Sequence, residues 1–153
     1  MVFIIGIDPG LSGGIALLGR EDGPVAVKMP ETERDVWDTI QDFCPVALAC
    51  IEQVGSMPKQ GVSSTFKFGR NYGFLRGCLI GSGMPFEQVT PVKWQRALSC
   101  LSGGDKSITR ARAQELFPRV LLPSGKPHRR ITNAIADALL IAEYARRELA
   151  RRQ

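Results

Sequence analysis

Short apolar runs alternate with helical repeats along this chain. Val2 to Asp8 is apolar, β-branched and closed by a carboxylate, which predicts a buried strand. Pro9-Gly10 and Ser12-Gly13-Gly14 make a tight turn into a second strand, Ile15 to Leu18. Asp22-Gly23 turns the chain again into Val25 to Met29, giving an antiparallel meander of three strands. Thr32 to Phe43 has helical spacing (Val36, Trp37, Ile40, Phe43) with acids near its start, where the helix dipole favours them. Val46 to Glu52 is another apolar run ending in a carboxylate. Residues 53–65 are rich in Gly, Ser and Pro and predict a mobile loop, and residues 66–82 predict a helix. A strand over Phe86 to Val89 and helices over Pro91 to Leu98 and Lys106 to Phe117 come next. A basic loop spans 118–130, and a long helix over Thr132 to Arg152 closes the pattern. This order implies an α/β fold with a mixed five-stranded sheet flanked by helices on both faces.

At 153 residues the chain predicts one domain over 1–153, since a domain holds roughly 150. A hydrophobic fraction of 44% against 23% charged excludes fibrous and intrinsically disordered classes. The longest apolar run, Val46 to Ile51, is far shorter than the ~20 residues of a spanning helix. Val2 to Ile5 is cut off by Asp8 and has no basic leader, so no signal peptide and no membrane contact is expected. An intracellular, soluble protein of the cytoplasm follows. Cys44, Cys50, Cys78 and Cys100 lack C-x-x-C spacing and predict reduced thiols, neither a zinc site nor a disulfide framework. His128 is the only histidine, so a Ser-His-Asp enzyme would depend on it alone.

Charge is divided unevenly within a net +5. Residues 1–52 hold three basic groups against nine acids, whereas residues 53–153 hold seventeen against six. Such concentration suits a polyanionic partner, with a merely solvated basic surface as the competing reading.

The acids give this a direction. Two core strands end in carboxylates, at Asp8 and Glu52. A third acid, Asp137, lies among Ile135, Ala136, Ala138 and Leu139 on a helix that should face the sheet. A buried carboxylate is costly unless solvent, a partner or a metal meets it. Three hard oxygen donors without His or Cys point to Mg²⁺ or Mn²⁺.

The strand end Ile5-Gly6-Ile7-Asp8-Pro9-Gly10, then Ile51-Glu52-Gln53-Val54, then Ala136-Asp137-Ala138-Leu139 resemble the RuvC family of Holliday-junction resolvases, of the ribonuclease H-like superfamily. The resemblance spans essentially the whole chain and is strongest for the compact bacteriophage-type members. It implies a ribonuclease H-like fold and a metal-dependent endonuclease, acting as a homodimer on four-way junction DNA in a bacterial or phage-infected cell. It further implies two Mg²⁺ or Mn²⁺ ions per active site, held by Asp8, Glu52 and Asp137. The family places a fourth acid three or four residues before the last aspartate, on the same helical face. Here those positions hold Ala134 and Asn133. Asn133 at a ligand position implies a naturally weakened enzyme or one inactivated by an Asp-to-Asn change; at a plain helix start it implies nothing. A non-catalytic junction-binding module is the alternative. The G-I-D-x-G turn also resembles the phosphate loop of actin-like ATPases, whose two-domain architecture 153 residues cannot supply.

Lys93 and Lys106 resemble the family's two basic positions beside the scissile phosphate. Lys59, Lys67, Arg70, Arg76, Arg110, Arg112, Arg129 and Arg130 are further candidates for phosphate contact, which gives affinity without sequence reading. In the family an apolar or aromatic side chain after the second carboxylate enters the junction centre. Phe66 or Phe68 fits, with core or dimer packing as the competing role. Gly69, Gly73, Gly77 and Gly81 recur every four residues, each at a cost of roughly 1 kcal/mol in a helix interior. A compensating close approach is expected, to a twin helix across a dimer interface or to the chain's own sheet.

Overall fold

The computed structural model describes residues 2–55 and 60–153. Its elements, in chain order, are β1 (Ile4–Asp8), β2 (Gly14–Leu18), β3 (Val25–Lys28), α1 (Glu33–Phe43), β4 (Leu48–Glu52), α2 (Val62–Gly81), β5 (Phe86–Val89), α3 (Pro91–Ala97), α4 (Lys106–Leu116) and α5 (Asn133–Arg151). All five strands form one sheet in the order β3-β2-β1-β4-β5. The first three strands pair antiparallel, while β4 and β5 join β1 in parallel, so the sheet is mixed as expected.

Alternation along the strands divides the core into two. Ile5, Ile7, Ala49 and Ile51 pack with Val36, Ile40, Leu75 and Leu79 of α1 and α2. Ile4, Leu48 and Cys50 face the other way, against Ile135, Ala138 and Leu139 of α5, with Trp94 of α3 and Ala113 of α4 beside them. Side chains alternate faces with a period of two. Asp8 has the parity of Ile4, and Glu52 that of Cys50, so both carboxylates face α5. Ile7 stands opposite Ile51 in the parallel β1–β4 register, which leaves Asp8 and Glu52 side by side at one end of the sheet.

Glycine lets α5 come down onto that end. A Cβ at Gly14 would lie 2.3 Å from the Ala134 carbonyl oxygen, and one at Gly6 would lie 2.2 Å from that of Ala138. Neither position tolerates a side chain without lifting the helix off the sheet. Asp137 lies between those two crossing points, on the turn of α5 held closest to β1.

One boundary differs from expectation. The helix predicted from residue 66 already begins at Val62, so residues 62–65 belong to α2 and not to the predicted loop. Gly61 precedes it without a side-chain cap, and the run Gly61-Val62-Ser63-Ser64 offers no acid or strong start signal. The four cysteines are free thiols, as expected. Burial pushes the Cys50 thiol up to about 12, so it is inert as a nucleophile. The described residues contain no helix long and apolar enough to cross a membrane.

Candidate metal and nucleic-acid site

Asp8, Glu52 and Asp137 converge where β1, β4 and α5 meet. Asp137 is buried, and the other two are half-buried. Burial holds the Asp8 carboxyl well above the usual carboxylate range, and the charges of Glu52 and Asp137 raise it further against the opposing pull of Lys106. Burial also raises Glu52, partly offset by a hydrogen bond from Trp94, while Asp137 adds to the rise and Lys106 opposes it. The three acids therefore act on one another through a poorly screened interior, as groups gathered around a cation would.

Lys106 supplies positive charge from the start of α4. Its Nζ donates to Asp137 Oδ2 at 2.8 Å. Burial alone would lower its pKa, but the Asp137 hydrogen bond and the fields of Asp137, Asp8 and Glu52 outweigh that and raise it. The other Asp137 oxygen, Oδ1, is buried and has no hydrogen-bond partner among the described residues. An orphaned charged oxygen is costly, on the order of 1–3 kcal/mol or more.

Three carboxylates, one with a buried oxygen unpartnered among the described residues, are the kind of donor a hard divalent cation takes. As placed, no group of three or more Asp, Glu, His or Cys side chains among the described residues already forms a coordination sphere. Trp94 Nε1 donates to Glu52 Oε2 at 2.7 Å, and Lys106 holds one oxygen of Asp137.

A groove of about 580 Å³ opens over Asp8, lined by Pro9 to Gly13, Gln60, Ser64, Lys67, Phe68, Lys106 and Asn133. Its floor is the turn after β1, where Gly10 has a φ of +100° that other residues rarely adopt. The Gly10 N–H donates to Asn71 Oδ1 at 2.7 Å, tying this turn to α2. The Phe68 ring lies against the same glycine, and an added Cβ there would come within 2.9 Å of it. A second depression, lined by Glu52, Gln53 and Pro91, meets the far side of Phe68.

The other predicted residues divide by place. Asn133 lines the groove with Asp8 and accepts from Arg110 Nη1 through Oδ1 at 2.7 Å. Arg110 and Arg130 share an adjoining cavity of about 500 Å³ with Thr132 and Asn133. Lys67 is exposed on the groove wall. Phe66, 71% exposed, projects from α2 and is not core, whereas Phe68 is half-buried. Arg70 pairs with Glu33, Arg76 lies over the Tyr72 ring, and Arg112 donates to the Leu98 carbonyl and Glu115. Arg129 is exposed beside His128, whose Nε2 bonds the Ala26 carbonyl; that histidine has a structural partner. Lys59 lies outside the described residues. Lys93 is exposed on α3, and its charge acts on Glu87 and Cys50. The residue next to it, Trp94, is the one that touches Glu52.

Gly69, Gly73, Gly77 and Gly81 are exposed along α2. A Cβ at any of the first three would meet nothing within 4 Å among the described residues, so packing on the chain's own sheet does not explain them. At Gly81 it would only reach the Trp37 ring, at 4.0 Å. Sequence reading missed Trp94 and Asn71. Neither belongs to a spacing pattern; each is defined by one hydrogen bond across the fold.

No protein-family model and no curated protein sequence matches the chain. Solved structures do. The RuvC of Thermus thermophilus in complex with a Holliday junction substrate superposes with a TM-score of 0.64 at 18% identity, covering 97% of this chain and 96% of that one. Thermus thermophilus RuvC in another structure gives 0.59 at 18% identity, with 96% of each chain covered. The yeast mitochondrial Holliday junction resolvase gives 0.62 at 14% identity, covering 98% of this chain and 80% of that one. The chain shares the fold of these RuvC and resolvase structures over nearly its whole length.

Proposed function

We propose that this protein is a junction-selective, metal-dependent DNA endonuclease that resolves four-way junctions by paired nicks. The observation behind this reading is that Glu52 and Asp137 both act electrostatically on Asp8, which lines a groove together with Lys67 and Lys106. The fold likeness to RuvC, whose Thermus form is described with a Holliday junction, supports the same substrate.

Asp8, Glu52 and Asp137 would hold two Mg²⁺ or Mn²⁺ ions, with Asn133 as a neutral fourth donor. Bound there, the ions supply Lewis acidity toward the scissile phosphate and the departing 3′ oxygen of an in-line displacement. Lys106, paired with Asp137 and lining the groove, would offer its ammonium to the phosphate. Lys67, Arg110 and Arg130 line the path of the backbone on either side of Asn133. Phe66, exposed beside the groove, is the better of the two aromatic candidates for unstacking the junction centre, because Phe68 is engaged with Gly10.

A homodimer follows from α2. Gly69, Gly73, Gly77 and Ile80 recur at helical spacing on one exposed face. A second copy is the occupant that would give each glycine the close neighbour it lacks. Replacing Gly73 or Gly77 with leucine should shift the protein to monomer without unfolding it, as read by sedimentation; a well-folded dimer carrying both would end this part of the proposal.

The primary test is a cleavage gel with synthetic four-way junction, flap, linear duplex and RNA–DNA hybrid, with and without Mg²⁺ or Mn²⁺. Symmetric metal-dependent nicks confined to the junction are expected. Tight junction binding without nicks in any metal would favour the binding-module reading, which the neutral Asn133 also suits.

A further inference from the structure

We infer that Trp94 is a positioning residue for the metal centre: its indole N–H fixes Glu52 so that one carboxylate oxygen is tied down and the other is presented to an ion. This rests on the reading of Glu52 as a metal ligand.

Trp94 is the largest fully buried side chain described, with no exposed surface. Its ring belongs to the core cluster that also holds Ile135, Leu139 and Cys50. A buried indole still needs an acceptor for its N–H. The acceptor here is Glu52 Oε2, at 2.7 Å, 42 residues away in sequence. The geometry is set from both ends. Gln53 N–H donates to the Val89 carbonyl at 2.7 Å, closing the β4–β5 pairing immediately beyond Glu52. Pro91 then starts α3 directly after β5, which brings the fourth residue of that helix back over the strand end. Glu52 is a flexible side chain at a strand terminus, and a donor rigidly held in the core removes its freedom. Outer donors of this kind orient metal-binding carboxylates, and their loss typically weakens metal affinity about ten- to hundredfold. A donor on a lysine or a serine would swing with its side chain. An indole locked in the core does not.

The test separates packing from the hydrogen bond. In a Trp37→Phe background, Trp94 is the only tryptophan, so its emission reports on this contact. Mn²⁺ is titrated while free metal is followed by electron paramagnetic resonance and Trp94 by fluorescence. The parent is expected to bind Mn²⁺ with a change in Trp94 emission, and Glu52→Gln to lose both signals. Trp94→Phe removes the donor, and benzothienylalanine at position 94 removes it while keeping the ring's shape. Both should bind Mn²⁺ about ten- to hundredfold more weakly, with near-native thermal unfolding for the benzothienyl form. Saturating Mn²⁺ should restore the cleavage rate. If the folded benzothienyl protein binds Mn²⁺ as tightly as the parent while Glu52→Gln does not, the inference about Trp94 fails and the metal site stands. If the parent binds no Mn²⁺, the metal site itself fails and Trp94 with it.

Discussion

Two buried carboxylates lie six residues apart on α5, and they are treated in opposite ways. Glu143 is closed by its own helix: Oε2 accepts from Arg146 Nε, and Oε1 from Arg146 Nη2 and Arg147 Nε, each at 2.7 Å. Asp137 receives one bond, from Lys106 on another element, and its second oxygen is orphaned among the described residues. Both are almost fully buried, at 3% and 4% exposed, so depth does not distinguish them. Completeness of pairing does. Glu143 is satisfied by its neighbours in sequence, whereas Asp137 keeps one buried oxygen without a partner among the described residues.

The largest expected effect breaks that pair apart. Asp137→Asn should lower junction cleavage about 10³-fold, which corresponds to ~4 kcal/mol of transition-state stabilisation, within what a metal centre supplies. The folded state without metal should change little in stability, because the lost Lys106 ion pair is offset by removal of a buried charge whose second oxygen has no partner among the described residues. Glu143→Gln should do the reverse: cleavage near the parent rate, with ~1–2 kcal/mol lost as hydrogen bonds to two arginines weaken. Single-turnover cleavage and urea unfolding of both variants decide it. Equal losses of activity would remove the distinction.

Next in size is Asn133→Asp. The new carboxylate would have two suitors, Arg110 at the surface and an ion in the groove. An exposed ion pair is worth ~0–1 kcal/mol, while a charged ligand on a divalent ion is worth several, so the metal should win. Cleavage of a four-way junction is then expected to rise about a hundredfold, with junction affinity nearly unchanged. A rate no faster than that of the present sequence would return Asn133 to an ordinary first residue of α5.

The same contrast explains what could be read in advance. The strands, their carboxylate ends and the small residues around Asp137 follow from local pattern, because parity along a strand and spacing along a helix are properties of neighbours. Gly6 and Gly14 are legible as turn or strand glycines, but their close approach to α5 is a fact of packing. Lys93 and Trp94 show the limit most clearly. Both stand on α3, and charge drew attention to the lysine, yet the core aromatic meets Glu52 because α3 folds back over β4. Asn71 escaped for the same reason: its bond to Gly10 joins residues 61 apart. The early start of α2 at Val62 went unread because that helix has no capping side chain and gains its hold from Leu75, Cys78 and Leu79, much further along.

The smallest expected effect is in the pH dependence of stability, where Glu143 on α5 and the strand-end acids Asp8 and Glu52 should pull in opposite directions. Burial opposes the ionisation of Glu143, but hydrogen bonds from Arg146 and Arg147 more than reverse this and lower its pKa. The unfolded chain therefore takes up a proton before the folded one does, and Glu143 contributes stability that is lost as pH falls below the ordinary carboxylate range and through its lowered folded value. Asp8 and Glu52 are raised, chiefly by burial, with Asp137 adding to both. Between the ordinary carboxylate range and their raised values they keep protons in the folded state that the unfolded chain has released, so stability falls as pH rises across that window. No single group can give a slope steeper than ~1.4 kcal/mol per pH unit. Unfolding measured in chelator from acid to neutral pH should accordingly show a maximum. Asp8→Asn should flatten its neutral limb, and Glu143→Gln its acid limb. Mg²⁺ binds the ionised acids, so its addition should lift the neutral limb and leave the acid limb alone; an equal lift at both ends would place the bound ion away from Asp8 and Glu52.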